Sequence, residues 1–167
     1  MGKQKGFSLI ELLLAVAIIL ILVAIAIPLF SRYRMQANEA SAVASLHSIN
    51  TAQVSYSSTY PDIGFAPDLN TLGPGSNPGN VVISSSNACL LDSVLGCTAG
   101  VGTASCQKSG YGFSISSATG TPITSYTVSG NPQVWNQTGT RYFYSDNSSV
   151  IRFNTTAPAT VDDQPVQ

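Results

Sequence analysis

Residues 7–30 read FSLIELLLAVAIILILVAIAIPLF, and 21 of these 24 positions are apolar. As an α-helix rising about 1.5 Å per residue, the stretch would cover roughly 36 Å, enough to cross a hydrocarbon core of about 30 Å. Lys3 and Lys5 precede it, and Arg32 and Arg34 follow it, so the flanking charges do not by themselves orient the segment. The stretch therefore predicts a membrane-spanning helix.

The remainder of the chain has a different composition. The whole chain of 167 residues is 44% hydrophobic and only 9% charged, but without residues 7–30 the apolar share falls to roughly 36%, the level of a polar globular domain. The length allows one modest domain plus an appendage. A net charge of −1 with seven Lys plus Arg supplies no basic patch, which argues against electrostatic binding of nucleic acid.

Glu11 is the one charged residue inside the apolar stretch. A carboxylate in a bilayer costs at least a few kcal/mol unless it has a partner. If the peptide bond after Gly6 is cut, Phe7 becomes the N-terminus, and its amine lies four residues before Glu11, within reach in the same helix or in a neighbouring one. The alternatives are that Glu11 is protonated or lies at the headgroup edge.

The string KGFSLIE at residues 5–11, followed by the long apolar run, resembles the leader and N-terminus of type IV prepilins, a group that includes the pseudopilins of type II secretion. The resemblance implies that a membrane aspartyl prepilin peptidase cuts after Gly6 from the cytoplasmic side and methylates the amine of Phe7. It also implies that Glu11 neutralises the terminal amine of an adjacent subunit during assembly. Pro28 matches a helix-bending proline of the family.

Two other kinds of N-terminal segment share some of these features. A secretory signal peptide would have a shorter apolar region followed by a small-residue cleavage site, and residues 24–26, AIA, come close to such a site. A plain uncleaved anchor is the second alternative. Neither explains the charge of Glu11.

A single helix is predicted over residues 7–60, because no Gly or Pro follows Pro28 until Pro61. Pro28 removes one backbone hydrogen bond and is expected to bend the helix without ending it. A stripe at helical spacing is predicted to cover a sheet; it comprises Met35, Ala42, Leu46, Ile49, Gln53, Tyr56 and Tyr60. The small residues off this stripe suit close packing with other subunits or a solvated stalk; they are Ala37, Ala40, Ser41, Ala44, Ser48 and Ala52.

Residues 61–167 are predicted to form a β-rich head. A Pro- and Gly-rich connection over 61–80 includes one short helix at 68–73, and a second short helix is predicted over 88–95. Four strands are predicted to form an antiparallel meander across the helix, at 111–116, 123–129, 141–145 and 150–154. The fold class is therefore α+β, divided into a cleaved leader (1–6), an N-terminal helix (7–60, with 7–30 membrane-spanning or in a filament core) and the head.

The chain has three cysteines, Cys89, Cys97 and Cys106. Outside the cytoplasm one bridge and one free thiol are expected. We favour Cys97–Cys106, which closes the loop TAGVGTAS, with Cys89 as a buried small hydrophobe of its short helix. Pairing of Cys89 with either of the other two stays open.

No constellation of catalytic residues is evident, and we predict no enzyme activity and no cofactor. His47 is the sole histidine, and no nucleophile elbow, zinc spacing or P-loop occurs. Asp146 and the pair Asp162 and Asp163 lack the spacing of a calcium loop, so no metal ligand is assigned.

The leading hypothesis from the sequence is a structural subunit of a type IV pilus-like helical filament serving adhesion, motility or DNA uptake. Such a subunit is made in the inner membrane as a single-pass precursor and ends in an extracellular filament. Its partners would be further copies of itself, the prepilin peptidase and the inner-membrane assembly machinery. The alternatives are a pseudopilin of a type II secretion system and a monomeric membrane-anchored binding domain.

Overall fold

A computed structural model describes residues 6–75, 82–97, 106–117 and 120–166. The chain divides into two compact units, Met1–Arg34 and Met35–Gln167. A long N-terminal helix is followed by a six-stranded antiparallel sheet. The predicted α+β fold is confirmed.

Helix α1 runs from Leu9 to Thr59 and continues through Pro28. It ends just before Pro61, as expected because a residue preceding proline is restricted away from helical geometry. Beyond Met35 one face of α1 is buried, and it carries most of the predicted stripe: Ala42, Leu46, Ile49, Gln53 and Tyr56. Met35 and Tyr60 are half-buried.

The buried face of α1 is wider than predicted. Ala52, which was assigned to the set of small residues off the stripe, is buried, and so are Glu39, Ser45 and Asn50. The head offers hydrogen-bond partners to Glu39 and Asn50, whereas the hydroxyl of Ser45 donates to the carbonyl of Ser41 within α1 at 2.8 Å. Ala37, Ala40, Ala44 and Ser48 are exposed, as predicted.

The head contains one antiparallel sheet in which every strand pairs with its neighbour in the chain. Its six strands are β1 (Cys106–Lys108), β2 (Tyr111–Ser117), β3 (Tyr126–Pro132), β4 (Tyr142–Asp146), β5 (Arg152–Asn154) and β6 (Gln164–Pro165). The meander is therefore confirmed, but the prediction of four strands was wrong, since the short edge strands β1 and β6 were missed.

The face of the sheet that enters the core is aromatic. Phe113, Gly130 and Phe143 are direct neighbours across β2, β3 and β4, and the two phenylalanine side chains are completely buried. They belong to one hydrophobic core with Leu46 and Ile49 of α1. This core lies within the Met35–Gln167 unit.

Strand β3 begins three residues later than predicted and extends to Pro132. Ile123 is not part of it, because its backbone pairs with the connection that follows α1. Its N–H donates to the carbonyl of Ile63 at 2.7 Å, and its carbonyl accepts from Phe65 N–H at 3.0 Å. Ile123 thus pairs with the connection that follows α1, and the chain enters the sheet three residues later, at Tyr126.

Helix α2 (Leu69–Leu72) lies where a short helix was predicted, and the Asp68 side chain caps it by accepting from Thr71 N–H at 2.7 Å. The second predicted helix, 88–95, was wrong. There the backbone N–H of Leu90 donates to the carbonyl of Leu72 at 2.8 Å. The last carbonyls of a helix have no partner within it, and those of α2 accept from the N–H groups at the start of this segment and hold it outside a helix.

Two side-chain amides attach α1 to the rest of the head. Asn50 Nδ2 donates to Ser145 Oγ at 2.8 Å, and its Oδ1 accepts from the hydroxyl of Tyr126 at 3.2 Å. Gln53 Nε2 donates to the carbonyl of Ala66 at 3.1 Å, and its Oε1 accepts from Ala66 N–H at 2.8 Å. Both amides are buried with their partners satisfied, so they fix the register of helix against sheet.

Candidate processing and assembly segment

The Gly6–Phe7 peptide bond lies just before α1 and in no helix or strand, and Phe7 is 87% exposed. A Cβ atom added to Gly6 would meet no atom within 4 Å. The fold of this chain therefore does not require a glycine at position 6. Lys3 and Lys5, which precede the apolar stretch, lie outside the described residues.

Glu11 lies in the first turn of α1 and caps it. Its Oε2 accepts from the backbone N–H of Ser8 at 3.0 Å. Ser8 precedes the first helical residue by one position, so this contact is one half of a capping box, in which the acid at the third position satisfies an N–H that the helix leaves free. Among the described residues the carboxylate thus has a local donor, Ser8 N–H, and no cationic partner.

The apolar segment of α1 is exposed throughout the described residues. The most hydrophobic window of the helix is long and apolar enough to span a membrane, and none of it is buried. Patches larger than a few hundred square ångströms are rare on soluble monomers and indicate a contact with protein or membrane. The segment therefore requires either lipid or other helices around it.

Helical structure persists across Pro28. Proline has no N–H, so it cannot donate to the carbonyl of Ala24. One turn further on, the hydroxyl of Ser31 donates to the carbonyl of Ile27 at 3.3 Å. A proline that leaves one carbonyl free is tolerated in lipid only where neighbouring groups compensate.

The buried carboxylate of Glu39 joins the helix to the β3–β4 connection. Its Oε1 accepts from the N–H and hydroxyl of Thr140 at 2.8 and 2.9 Å, and its Oε2 accepts from Arg141 Nε at 2.7 Å. Burial alone would raise the pKa of Glu39, but the hydrogen bonds from Thr140 and the charge of Arg141 outweigh burial and lower it.

Glu39 was not among the predicted residues, although a signal for it exists in the sequence. It lies four residues after Met35 and three before Ala42, at the spacing of the predicted stripe. A charged residue at that spacing needs a partner when the stripe is buried. The partner, Arg141, is about a hundred positions away and was visible only in the fold.

The disulfide predicted between Cys97 and Cys106 is present, with a Cα–Cα distance of 5.6 Å. It links the turn before the loop to strand β1; the loop itself, 98–105, lies outside the described residues. Cys89 is free, as expected, but the prediction that it is buried was wrong, because it is exposed and in no helix.

The aspartates considered for calcium hold turns together. Asp163 Oδ2 accepts from Thr160 N–H at 2.7 Å, a bond that lowers the pKa of Asp163. Asp146 Oδ1 accepts from Ser148 N–H at 2.8 Å. Within the described ranges, no group of three or more His, Cys, Asp or Glu residues comes together to hold a metal ion.

Comparison with known proteins agrees with the N-terminal pattern. A family model described as "Prokaryotic N-terminal methylation motif" matches residues 1–27. The chain is also 37% identical over 73 residues to the type IV major pilin protein PilA of Myxococcus xanthus, covering 40% of this chain and 33% of that protein. No solved structure matches the chain. The matched region thus spans about a third of the length of the curated relative.

Both matches support the type IV pilin family, so the resemblance predicted from residues 5–11 is confirmed. The match to the pilin extends over 73 residues, whereas the motif model covers 27. The alignment with the pilin is therefore longer than the motif.

Proposed function

From the similarity of this chain to the type IV pilin family, we propose that it is a structural, non-enzymatic subunit of a pilus-like helical filament. One observation carries the proposal: the apolar part of α1 is wholly uncovered, while the core of the head is complete without it. A helix that is apolar all round must be surrounded by lipid or by other helices. Bundled copies of the same helix supply that environment in a filament, and head-to-tail contacts that do not close extend without limit.

We infer that the precursor is cut after Gly6 and that the new amine of Phe7 is methylated. The exposed, non-helical bond between these residues is accessible to a peptidase. The free space around Gly6 supports this role, because a requirement for glycine there must come from the enzyme. A larger side chain, as in Gly6→Val, is expected to leave the fold unchanged and to slow cleavage.

Mass spectrometry of the N-terminal peptide of the mature protein tests processing directly. A peptide that begins with methylated Phe7 is expected. An intact Met1, or a cut near Ala26, would contradict the proposal and favour a plain anchor or a secretory signal.

In the filament we propose that Glu11 exchanges its local donor, Ser8 N–H, for the terminal amine of an adjacent copy. The amine carries a positive charge, and a charge-assisted hydrogen bond is roughly twice as strong as a neutral one. Low dielectric around bundled apolar helices strengthens the pair further. Assembly is therefore favoured by a contact that a single chain does not make.

Two substitutions separate the capping role of Glu11 from its proposed pairing role. Glu11→Gln keeps an acceptor for Ser8 N–H but removes the charge, whereas Glu11→Ala removes both. We expect both variants to insert into the membrane. Their filament yield should be at least tenfold lower than that of the wild type. Normal yield of Glu11→Gln with loss in Glu11→Ala would show that the cap alone matters, and the pairing proposal would be wrong.

We propose that the subunit is first a single-pass precursor in the inner membrane, where it meets the peptidase and the assembly machinery. After assembly it lies in a filament at the cell surface. The relative found is a major pilin, which favours a long surface pilus over a secretion pseudopilin. Imaging with a label on the head distinguishes these: long labelled fibres are expected. Their absence while type II secretion is active would favour the pseudopilin, and stable single molecules in the membrane would favour a monomeric anchored domain.

A further inference from the structure

A polar depression lies on the face of the sheet opposite to the aromatic core. Its volume is about 330 Å³, at the lower end of the roughly 300–1,000 Å³ usual for ligand pockets. The described residues that line it are all uncharged: Gly112, Ser114, Asn131, Pro132 and Gln133. The depression therefore offers hydroxyl and amide groups to a ligand.

The alternation of side chains along the strands brings these groups to one surface. Phe113 enters the core, so Gly112 and Ser114 on either side of it lie on the opposite face of β2. Gly112 pairs with Gln107 of β1 on one side and with Asn131 of β3 on the other. Residues directly opposite each other share a face. Two amide side chains thus flank a position that has no side chain, and the glycine leaves room between them.

Asn131 carries an acceptor that has no partner among the described residues. Its Oδ1 is buried, and none of these residues donates a hydrogen bond to it. A buried acceptor without a donor is unfavourable, and few such groups occur in native proteins. The last side-chain torsion of asparagine is soft, so rotation of the amide turns Oδ1 toward a group bound in the depression. A ligand hydroxyl there would satisfy this atom.

An exposed tryptophan follows the depression in the chain. Trp135 is 54% exposed and comes two residues after Gln133, which is at most about 7 Å of extended chain. Gln133 N–H donates to the carbonyl of Gly110 at 2.9 Å. Thr138 N–H donates to the carbonyl of Val134, also at 2.9 Å. Because these bonds already order the loop, a contact through Trp135 costs little further conformational entropy.

This combination of groups fits a neutral oligosaccharide. Sugar hydroxyls both donate and accept hydrogen bonds, as amide and hydroxyl side chains do. The C–H face of a pyranose ring is apolar and packs against the face of an aromatic ring such as indole. Nucleic acid fits less well, since affinity for phosphates comes from Lys and Arg. The described lining contains neither, and Lys108 of the nearby strand β1 is paired with Asp92.

We propose that the depression and Trp135 together bind a segment of a neutral oligosaccharide. The amides of Asn131 and Gln133 form hydrogen bonds to sugar hydroxyls, and the indole of Trp135 stacks on a sugar ring. This inference goes beyond the proposed function and does not depend on assembly, because every residue of the site belongs to the unit Met35–Gln167. A filament of such subunits would carry one site per copy, so that weak single sites would bind a long polysaccharide together.

Titration of the full chain with soluble oligosaccharides tests this proposal. The protein is kept in lauryldimethylamine oxide, a detergent without a sugar headgroup. The neutral probes are cellohexaose, maltohexaose and chitohexaose, and polygalacturonate is the anionic comparison. Isothermal titration calorimetry measures binding to the wild type and to each variant. Since Trp135 is the single tryptophan of the chain, fluorescence of the wild type reports directly on contact with the indole.

We expect saturable binding of at least one neutral hexasaccharide, with a shift of Trp135 emission to shorter wavelength. Trp135→Ala and Gln133→Ala should each weaken binding at least about tenfold, because each removes a contact with the sugar. Trp135→Phe keeps an aromatic ring and should retain part of the affinity. The matched control is Gln137→Ala, which removes an exposed amide of the same loop that is not among the lining residues. It should bind like the wild type, and since all three replaced side chains are exposed, each variant should keep the fold.

Several results would overturn the proposal while leaving filament assembly untouched. These are the absence of saturable binding for all three neutral probes, binding that survives both Trp135→Ala and Gln133→Ala, and tighter binding of polygalacturonate than of the neutral probes. A shift of Trp135 emission that grows with protein concentration without sugar, together with a larger species in sedimentation, would assign this surface to a contact with a second copy and would also contradict the proposal.

Discussion

At the scale of single residues, a few buried polar side chains fix how α1 lies in the head. Glu39 and Asn50 satisfy groups that come from distant parts of the chain, and Gln53 satisfies the backbone of Ala66 in the connection that follows α1. Net stabilisation by one hydrogen bond is modest, about 1 kcal/mol, but leaving a buried group without a partner costs about 1–3 kcal/mol. These residues are therefore more informative targets than the apolar residues beside them.

Replacing Glu39 by Gln is expected to lower the free energy of unfolding by about 2 kcal/mol at pH 7, because the hydrogen bond to a charged partner is lost. The pKa of Glu39 is lowered in the folded state. Its stabilising effect is therefore complete above the unfolded pKa, about 4.3, and is lost as the pH falls through the lower folded pKa. Denaturant unfolding of the full chain in detergent at pH 7 and pH 3, followed by Trp135 fluorescence, measures both effects.

The matched control for this experiment is Asp62→Asn, which changes an exposed carboxylate. It should unfold like the wild type at both pH values. If the free energies of unfolding of Glu39→Gln and the wild type differed by the same amount at pH 7 and pH 3, the charge of Glu39 would not be the source of the effect.

Gln53→Ala is expected to destabilise the head by about 2–3 kcal/mol, because it leaves both the N–H and the carbonyl of Ala66 without their partner in a buried site. Gln36→Ala, an exposed glutamine of the same helix, should change the free energy of unfolding by less than about 0.5 kcal/mol. Equal midpoints in denaturant for the two variants would show that the bonds between Gln53 and Ala66 are replaced by water at no cost.

At the scale of elements, the close approach of strand β2 to the β3–β4 connection constrains one glycine. A Cβ atom at Gly139 would overlap the hydroxyl of Tyr111, a fully buried side chain that donates to the carbonyl of Arg141 at 2.9 Å. The ring of Tyr111 is fully buried, so it has no free space into which to move. The connection therefore depends on the absence of a side chain at position 139.

Gly139→Ala should destabilise the head by about 1–3 kcal/mol, the usual cost of adding a methyl group to a packed site. Gly6→Ala is the matched control, since a Cβ atom there has no neighbour within 4 Å. Thermal unfolding followed by near-ultraviolet circular dichroism reports on Tyr111 directly. An unchanged unfolding temperature for Gly139→Ala would mean that the loop moves aside freely.

The elements differ in how far the sequence allowed them to be predicted. Helix α1 was predictable because a long segment without Gly and with a single Pro favours one continuous α-helix. Strands β1 and β6 were not, since three and two residues carry no periodicity and pair only because a neighbouring strand is present. The false helix at 88–95 has a helical composition, but its N–H groups bond to the end of α2, a contact that no local pattern reveals.

The candidate site shows the same division. Gly6, Phe7 and Glu11 lie in one continuous motif that the family model matches, so they could be read locally. Glu39, in contrast, binds Thr140 and Arg141, which lie about a hundred positions further along the chain. Its partners could therefore be identified only from the fold.

At the scale of the whole molecule, the unit Met35–Gln167, which combines the second part of α1 with the head, has a core of its own. Its buried apolar residues begin at Ala42 and end at Ala159, and none comes from the apolar segment. Residues 7–30 therefore add no cover to that core. Stability of the head and burial of the segment are separate problems for this chain.

We accordingly predict that a fragment comprising Met35–Gln167 folds alone. It should be soluble and monomeric without detergent, with one cooperative thermal transition and the Cys97–Cys106 bridge formed. The full chain should require detergent, lipid or assembly. Sedimentation, circular dichroism and thiol titration check these points, and an aggregated or unfolded fragment would show that the segment before Met35 contributes to the stability of the head.

The chain has one bridge, between Cys97 and Cys106, and one free cysteine, Cys89. The number of free thiols therefore reports on which side of the membrane the head lies. Disulfides form and persist in oxidising compartments, whereas cysteine thiols stay reduced in the cytosol. A molecule whose head has crossed the membrane thus offers one thiol to an alkylating reagent, whereas a molecule stalled before translocation offers three. Counting alkyl groups on each chain would therefore sort a mixed population by the side of the membrane that its head has reached, without any engineered tag.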